Sequence, residues 1–123
     1  MSQTILVVDD SPTVVKLMTF SLKSQGYRVL SACDGMDALE KMSHLSEEVD
    51  LIITDLNMPN LDGYGLIEAV RQGRRKTPII ILTSEEGEAD REKGIAVGAD
   101  AYLVKPFRAA LLLSEVSKHL DNN

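Results

Sequence analysis

The feature that most constrains the fold of this chain is a set of five short, mostly aliphatic runs. They lie at residues 5–8, 27–30, 51–53, 79–82 and 102–104, at intervals of roughly 20–30 residues. Apolar character along the central runs is continuous rather than alternating. Such continuity is typical of strands that are buried on both faces of a parallel sheet.

The segments between these runs carry apolar residues at helical spacing. The residues expected on the buried faces are Val14, Leu17, Met18 and Leu22, then Leu39, Met42 and Leu45, then Ile67 and Val70, and finally Ala109, Leu112, Leu113, Val116 and Leu120. Because strands and helices alternate, the pattern predicts five βα units. We therefore expect one doubly wound α/β domain over residues 1–123, with helices on both faces of a parallel sheet.

Residues that favour helix ends support this assignment. Ser11 followed by Pro12 is typical of an N-cap with proline at the first helical position. Gly26, Gly73 and Gly98 lie where helices should stop, so they predict left-handed C-terminal caps.

The helix expected over residues 86–97 fits less well than the others. It contains Gly87 and Gly94, and each interior glycine costs about 1 kcal/mol relative to alanine. Few apolar side chains are available to anchor it. We expect it to be the least stable helix of the fold.

Charge and composition limit the partners and the location of this chain. Its net charge is -6, which disfavours nucleic acid and anionic membrane surfaces as partners. No apolar stretch is long enough to span a bilayer, and no secretory signal is visible, so a cytoplasmic location is expected. Cys33 is the single cysteine; it excludes an intrachain disulfide, and we expect it to be a small buried hydrophobe.

Acidic residues follow two of the predicted strands. Asp9 and Asp10 come directly after the first strand, and Asp55 follows the third. If these strands are neighbours, three carboxylates meet at one edge of the sheet, and their mutual repulsion favours protonation or a hard cation. Oxygen ligands of this kind favour Mg²⁺. The alternative is that Asp9 and Asp10 only cap the first helix.

Two further strand ends carry polar groups. Thr83 ends the fourth strand and Lys105 follows the fifth. Alone, Thr83 would be interpreted as a helix N-cap and Lys105 as a solvated surface residue. Together with a cation, they could hold a phosphoryl group and neutralise its charge as it transfers to an Asp55 oxygen.

With these residues placed, the sequence resembles the receiver domain of bacterial two-component response regulators. The resemblance covers the whole chain and rests on Asp9-Asp10, Asp55, Thr83 and Lys105-Pro106-Phe107. Residues 55–63 and 104–107 are especially similar to the stand-alone chemotaxis receiver. The resemblance implies a flavodoxin-like sheet with strand order 2-1-3-4-5.

The resemblance also implies a role for each matching residue. Asp55 would accept a phosphoryl group from a histidine kinase phosphohistidine. Mg²⁺ would be bound by the Asp10 and Asp55 side chains and the Asn57 backbone carbonyl, with Asp9 acting through a water.

The remaining positions would shape and transmit the phosphorylated state. Thr83 would hydrogen-bond the phosphoryl oxygen and Lys105 would pair with it. Tyr102 matches the switch aromatic of the family, and the bond between Lys105 and Pro106 would be a cis peptide.

The resemblance leaves the output of this receiver open. No output domain is expected, so phosphorylation would act on a partner protein or phosphatase through the fourth helix, fifth strand and fifth helix. The resemblance is compatible with a role in chemotaxis and with a role as a phosphorelay intermediate. The charges of Arg91, Glu92 and Lys93 nevertheless disfavour a flagellar-motor target. We expect a monomer or a weak phosphorylation-dependent dimer, whose own chemistry is limited to self-phosphorylation and autodephosphorylation.

Two other functions share parts of this pattern. Mg²⁺-dependent phosphohydrolases also use a strand-end aspartate nucleophile, but typically after the first strand and with a second acid two residues later. Flavin electron carriers share the topology, but need a Ser/Thr-rich phosphate loop and flanking aromatics, whereas this chain has Asp-Asp-Ser-Pro and no Trp.

Overall fold

The computed structural model describes residues 3–44, 49–73, 75–84 and 87–120. Strands and helices alternate along these residues. Their bounds are β1 Thr4–Val8, α1 Pro12–Lys23, β2 Arg28–Ala32, α2 Gly35–Ser43, β3 Leu51–Asp55, α3 Gly63–Gln72, β4 Ile79–Thr83, α4 Glu88–Val97, β5 Ala101–Val104 and α5 Ala109–Leu120.

All five strands pair in parallel in one sheet of order β2-β1-β3-β4-β5. This confirms the predicted flavodoxin-like α/β fold. Val8 lies opposite Thr54, and Thr83 lies opposite Val104. This register brings the carboxyl ends of β1, β3, β4 and β5 to the same edge.

The side chains of each central strand lie on both faces of the sheet. Leu6 and Ile52 pack in a cluster with α2 and α3, whereas Ile5 and Ile53 pack in a second cluster with α1 and α5. Successive side chains of a strand point to opposite faces, so a strand that is covered on both sides must be apolar throughout. This explains the continuous apolar runs.

The predicted start of α1 is confirmed. Pro12 is its first residue, and Ser11 Oγ accepts a hydrogen bond from the Val14 N–H at 3.4 Å. This bond satisfies one of the amide donors that a helix N-terminus leaves without an intrahelical partner.

The prediction of left-handed glycines is right at two positions and wrong at one. Gly26 has φ +90° and Gly98 has φ +126°, but Gly73 has φ −73°. At the end of α3 the Gly73 N–H donates to the Ala69 carbonyl and the Arg75 N–H donates to the Val70 carbonyl. These bonds satisfy the helix end without a left-handed residue.

Three predicted core positions are exposed. Leu17 is 61% exposed. The buried residues of α1 are Met18 and Leu22, and Leu17 lies outside the helix face that they form. Ala109 is exposed at the first turn of α5. Cys33 is exposed as well, since it follows β2, the strand at the edge of the sheet. Leu45 lies outside the described residues.

Helix α4 is anchored less than the other helices. It begins at Glu88 with Gly87 as its N-cap, so of the two glycines only Gly94 is interior, and the expectation of two interior glycines was wrong. Gly94 is the buried residue of this helix, and a Cβ there would overlap the Cδ1 of Ile81. The glycine therefore permits close packing of α4 on β4.

Among the described residues, no helix is long and apolar enough to cross a membrane.

Candidate functional site

Three carboxylates lie together at the carboxyl edge of the sheet. Asp9 follows β1, Asp10 comes next, and Asp55 is the last residue of β3. One oxygen of each lies within 4.8 Å of the others. Asp9 is only 2% exposed, Asp55 is partly buried, and Asp10 is exposed. The fold thus brings together the three aspartates that sequence analysis singled out.

Asp9 is oriented by the turn that leads into α1. Its N–H extends the sheet by donating to the Ala32 carbonyl at 3.1 Å. Its Oδ1 accepts a hydrogen bond from the Ser11 N–H at 2.9 Å. The cap of α1 is the Ser11 side chain, so the alternative cap role for Asp9 and Asp10 does not describe this helix end.

Lys105 connects two of the carboxylates. Its Nζ lies 3.0 Å from Asp9 Oδ2 and 3.5 Å from Asp55 Oδ1. Its backbone N–H donates to the Thr83 carbonyl at 2.6 Å, which ties it to the end of β4. Burial alone would lower the pKa of Lys105, but the hydrogen bond to Asp9 and the charges of Asp55 and Asp9 outweigh it and raise the pKa. Lys105 is therefore a cation held at the acidic site.

Burial raises the pKa of Asp55. The charge of Lys105 and the hydrogen bond from the Leu56 N–H, 2.8 Å long, oppose this rise, whereas the charge of Asp9 adds to it. The net effect is a raised pKa, so the surrounding charges and hydrogen bonds only partly offset the cost of burying the ionised Asp55 carboxylate. A further cation would stabilise that form.

The donor set fits Mg²⁺. All the available ligand atoms are oxygens, and hard divalent cations prefer them. Mg²⁺ commonly uses one or two carboxylates and keeps several waters, so three clustered aspartates are sufficient. Asn57 lies two residues after Asp55 and is exposed.

Thr83 and Tyr102 lie on neighbouring strands, with Thr83 at the carboxyl end of β4 and Tyr102 within β5, opposite Ile81. Thr83 is 3% exposed, and its hydroxyl donates to the Leu103 carbonyl at 3.5 Å, so it points toward β5. Tyr102 is 45% exposed, and the Arg91 guanidinium carbon lies 5.1 Å from its ring centroid. The ring therefore faces outward in this structure. The peptide bond between Lys105 and Pro106 is cis.

Glycine allows α3 to begin against the acidic site. A Cβ on Gly63 would overlap the Asp55 carbonyl oxygen. The Gly63 N–H also donates to the Leu56 carbonyl at 2.9 Å, and Asp62 caps the helix by accepting from the Gly65 N–H. The Asp-Gly pair at 62–63 is thereby explained by packing and capping.

Two contacts near the site were not predicted from the sequence. One is the position of Arg91 over Tyr102, and the other joins Asp34 to Asn60. The Asp-Gly pair before α2 could have identified Asp34 as a helix cap. Nothing local could have revealed its partner, because 26 positions separate the two residues.

Comparisons with known proteins agree with this geometry. The sequence profile of the response regulator receiver domain matches residues 5–117. The alkaline phosphatase synthesis transcriptional regulatory protein PhoP of Bacillus subtilis (strain 168) is 41% identical over 107 residues. The match covers 87% of this chain and 44% of PhoP, so this chain spans less than half the length of that relative.

Solved structures also match over nearly the whole chain. A Chloroflexus aurantiacus J-10-fl protein, described as a candidate response regulator, superposes with a TM-score of 0.92 at 33% identity, covering 99% of this chain and 100% of that one. The chemotaxis response regulator CheY4 of Vibrio cholerae gives a TM-score of 0.88 at 38% identity, covering 98% and 100%. The fold, the acidic edge and the matching profile agree: this chain belongs to the response regulator receiver domain family.

Proposed function

We propose that this receiver accepts a phosphoryl group from the phosphohistidine of a histidine kinase onto Asp55, in a reaction that requires Mg²⁺. The observation that carries the proposal is the placement of Lys105 between Asp9 and Asp55, within a cluster of three carboxylates. An acidic pocket that also holds an ammonium is suited to a phosphoryl group only when a second cation is bound.

In the proposed reaction an Asp55 carboxylate oxygen attacks the phosphorus atom. A P–O bond forms as the P–N bond to the kinase imidazole breaks, and the imidazole keeps the electron pair of that bond. Bound Mg²⁺, held by Asp10, Asp55 and the Asn57 carbonyl with Asp9 acting through a water, would neutralise phosphoryl charge. Lys105 would pair with a phosphoryl oxygen, and its position beside the nucleophile supports this role.

A groove beside Lys105 is suited to the kinase. It lies between α1 and the connection from β5 to α5, with a volume of about 390 Å³. Val14, Leu17, Pro106 and Phe107 give it a largely apolar lining. We propose this groove as the docking surface of the phosphodonor protein, because an apolar surface that continues into the acceptor site would align donor and acceptor. A Leu17→Glu variant should slow transfer from a kinase while leaving the reaction with a small phosphodonor unchanged.

The proposed output is a change in the face formed by α4, β5 and α5. Thr83 would turn toward the phosphoryl oxygen, and Tyr102 would then fill the space behind it. The target would be a partner protein or phosphatase in the cytoplasm, either in chemotaxis or as a phosphorelay intermediate, with the receiver a monomer or a weak phosphorylation-dependent dimer. Its own chemistry would be limited to self-phosphorylation and autodephosphorylation.

Incubation with acetyl phosphate and Mg²⁺ tests the acceptor assignment. Intact-mass spectrometry should show one added phosphoryl group, which hydroxylamine should remove, as expected for an acyl phosphate. Asp55→Asn and chelation of Mg²⁺ should each abolish the addition, and Asp10→Asn should weaken Mg²⁺ binding. Asp90→Asn, on the exposed surface of α4, serves as the control. Phosphorylation of Asp55→Asn at the wild-type rate would refute the assignment.

A further inference from the structure

Asp34 contacts two separate parts of the chain through its two carboxylate oxygens. Its Oδ1 accepts from the Asp37 N–H at 2.8 Å and so caps α2. Its Oδ2 accepts from the Asn60 side-chain amide at 2.7 Å. The Asp37 bond, followed by the Asn60 bond, lowers the pKa of Asp34. A helix cap requires only the first contact, so the second needs its own explanation.

Asn60 lies in the loop that joins Asp55 to α3, in a backbone conformation that few side chains adopt. Its φ is +69°, the one positive value of a non-glycine residue in the described ranges. Next to it, the Leu61 carbonyl accepts from the Gly35 N–H at 3.0 Å, where a Cβ on Gly35 would overlap Leu61. Residues 60 and 61 are thus fixed to the start of α2 at two adjacent points.

The opposite end of this loop is fixed to the acidic site. The Leu56 N–H donates to Asp55 Oδ1 at 2.8 Å, and the Leu56 carbonyl accepts from the Gly63 N–H at 2.9 Å. Asn57 therefore lies in a short closed loop with Asp55 at one end and the contact to Asp34 at the other. A displacement at Asn60 can be absorbed by few residues other than those around Asn57.

We propose that Asp34 and Asn60 are positioning residues for the acidic site: they hold the loop so that the Asn57 carbonyl would be available as a ligand to a cation bound by Asp10 and Asp55. Neither residue would itself be a ligand of the cation. The inference rests on the proposed function, because it assumes that Mg²⁺ binds there. Contacts that orient ligands in this way typically change metal affinity about 10- to 100-fold when they are removed.

A matched pair of variants separates positioning from helix capping. Asp34→Ser and Asp34→Asn both remove the charge, and both retain a side-chain oxygen that can cap α2. Only the asparagine is long enough to reach the Asn60 amide, after rotation of that amide. Isothermal titration calorimetry with MgCl₂ should show about tenfold weaker binding by Asp34→Ser than by Asp34→Asn. Amide hydrogen exchange of residues 56–62 in the metal-free protein should be faster in Asp34→Ser.

Asn60→Gly provides a second test in case Asp34→Ser folds poorly. Glycine tolerates positive φ but lacks the side-chain amide, so Asn60→Gly should weaken Mg²⁺ binding by a similar factor. The double variant Asp34→Ser, Asn60→Gly should bind Mg²⁺ only slightly more weakly than either single variant. Equal Mg²⁺ affinities of Asp34→Ser and Asp34→Asn, or wild-type affinity in Asn60→Gly, would overturn this inference and leave the proposed function unaffected. Failure of the wild type to bind Mg²⁺ at all would overturn the proposed function with it.

Discussion

Lys105 and Asp9 form an ion pair of 3.0 Å although 96 positions separate them in the chain. In the sheet, β3 and β4 lie between the strands that these residues follow. The ammonium therefore reaches back across two strands to a carboxylate that is almost fully buried. Because a buried anion without a partner is costly, loss of this ammonium should weaken the fold as well as change the site.

Lys105→Met should destabilise the metal-free protein. The substitution keeps the apolar stem of the side chain but leaves Asp9 without its cation, so the free energy of unfolding should fall by about 1–3 kcal/mol. Urea unfolding with a chelator present would measure this. Lys118→Met is the matched control, because that lysine pairs with Glu115 on the surface of α5 and its loss should cost about 0.5 kcal/mol or less. Equal losses in the two variants would contradict the prediction.

Asp55→Asn should stabilise the metal-free protein near neutral pH. Burial raises the folded pKa of Asp55 above its unfolded value, so the ionised carboxylate destabilises the fold. Removing that charge should raise the free energy of unfolding by about 0.5–1 kcal/mol, the scale of charge interactions in partly solvated sites. Saturating Mg²⁺ should reverse the order of the two proteins, since only the wild type keeps all three carboxylates.

The difference between Asp55→Asn and wild type should also depend on pH. A raised folded pKa means that the folded state binds the proton more tightly, so the destabilisation is complete above the folded pKa. It disappears as the pH falls below the unfolded value, about 4. Urea unfolding of both metal-free proteins across this range should show the curves converging at low pH. A difference in unfolding free energy that stays constant with pH would show that the asparagine side chain stabilises the fold by something other than removal of the carboxylate charge.

The strands and the acidic edge could be predicted because both depend on local sequence. A strand covered on both faces must be apolar throughout, and a residue that follows such a strand must lie at the edge of the sheet. Placing Asp9 and Asp55 side by side then required only that β1 and β3 be neighbours. That order came from the resemblance to receivers, and the structure confirms it.

The errors lie where distant contacts decide the outcome. Helical periodicity assigned Leu17 to the core, but the direction from which β-strands cover α1 cannot be deduced from α1 alone. Gly73 is the exception, because local contacts decide its conformation: its own N–H donates to the Ala69 carbonyl and the Arg75 N–H donates to the Val70 carbonyl, so the helix end is satisfied without a left-handed residue. The contact between Asp34 and Asn60 depends on how two loops approach each other, which no local pattern encodes.

Tyr64→Phe should loosen α4. The Tyr64 hydroxyl donates to Asp90 Oδ1 at 3.0 Å, and Lys93 Nζ lies 4.3 Å from the ring centroid. Losing the hydroxyl removes a tie between α3 and a helix whose one buried residue is a glycine. Amide hydrogen exchange should accelerate several-fold in residues 88–97, while the free energy of global unfolding falls by about 0.5–1.5 kcal/mol. Unchanged exchange in α4 would contradict this account.

The same contact should appear in a spectroscopic titration. Burial, followed by the hydrogen bond to Asp90 and its charge, raises the pKa of Tyr64 to about 12. Near pH 11, roughly one unit above the usual tyrosine value, Tyr64 should therefore remain mostly protonated. Tyrosinate absorbance should then be nearly equal in wild type and Tyr64→Phe, and the two should separate only at higher pH.

Under the proposed function, Thr83→Ala should uncouple Asp55 from the face formed by α4, β5 and α5. The bond from the Thr83 hydroxyl to the Leu103 carbonyl is long, at 3.5 Å, so little opposes its rotation toward a phosphoryl oxygen. A charge-assisted hydrogen bond there would contribute about 1.5–3 kcal/mol. That is enough to make a minor conformer of about one tenth the majority. The outward Tyr102, in contact with Arg91, would then turn inward and release α4.

Amide chemical shifts with and without beryllofluoride, a phosphoryl mimic, would measure this coupling. In the wild type, residues 84–107 should shift strongly when the mimic and Mg²⁺ are added. Thr83→Ala should still bind the mimic at Asp55, but the shifts in α4 and β5 should shrink. Thr83→Ser is the matched control, because it keeps the hydroxyl and should keep the shifts. If wild-type shifts stay confined to residues that touch the mimic, phosphate is stored at Asp55 without a conformational switch, and the output must follow phosphate transfer instead.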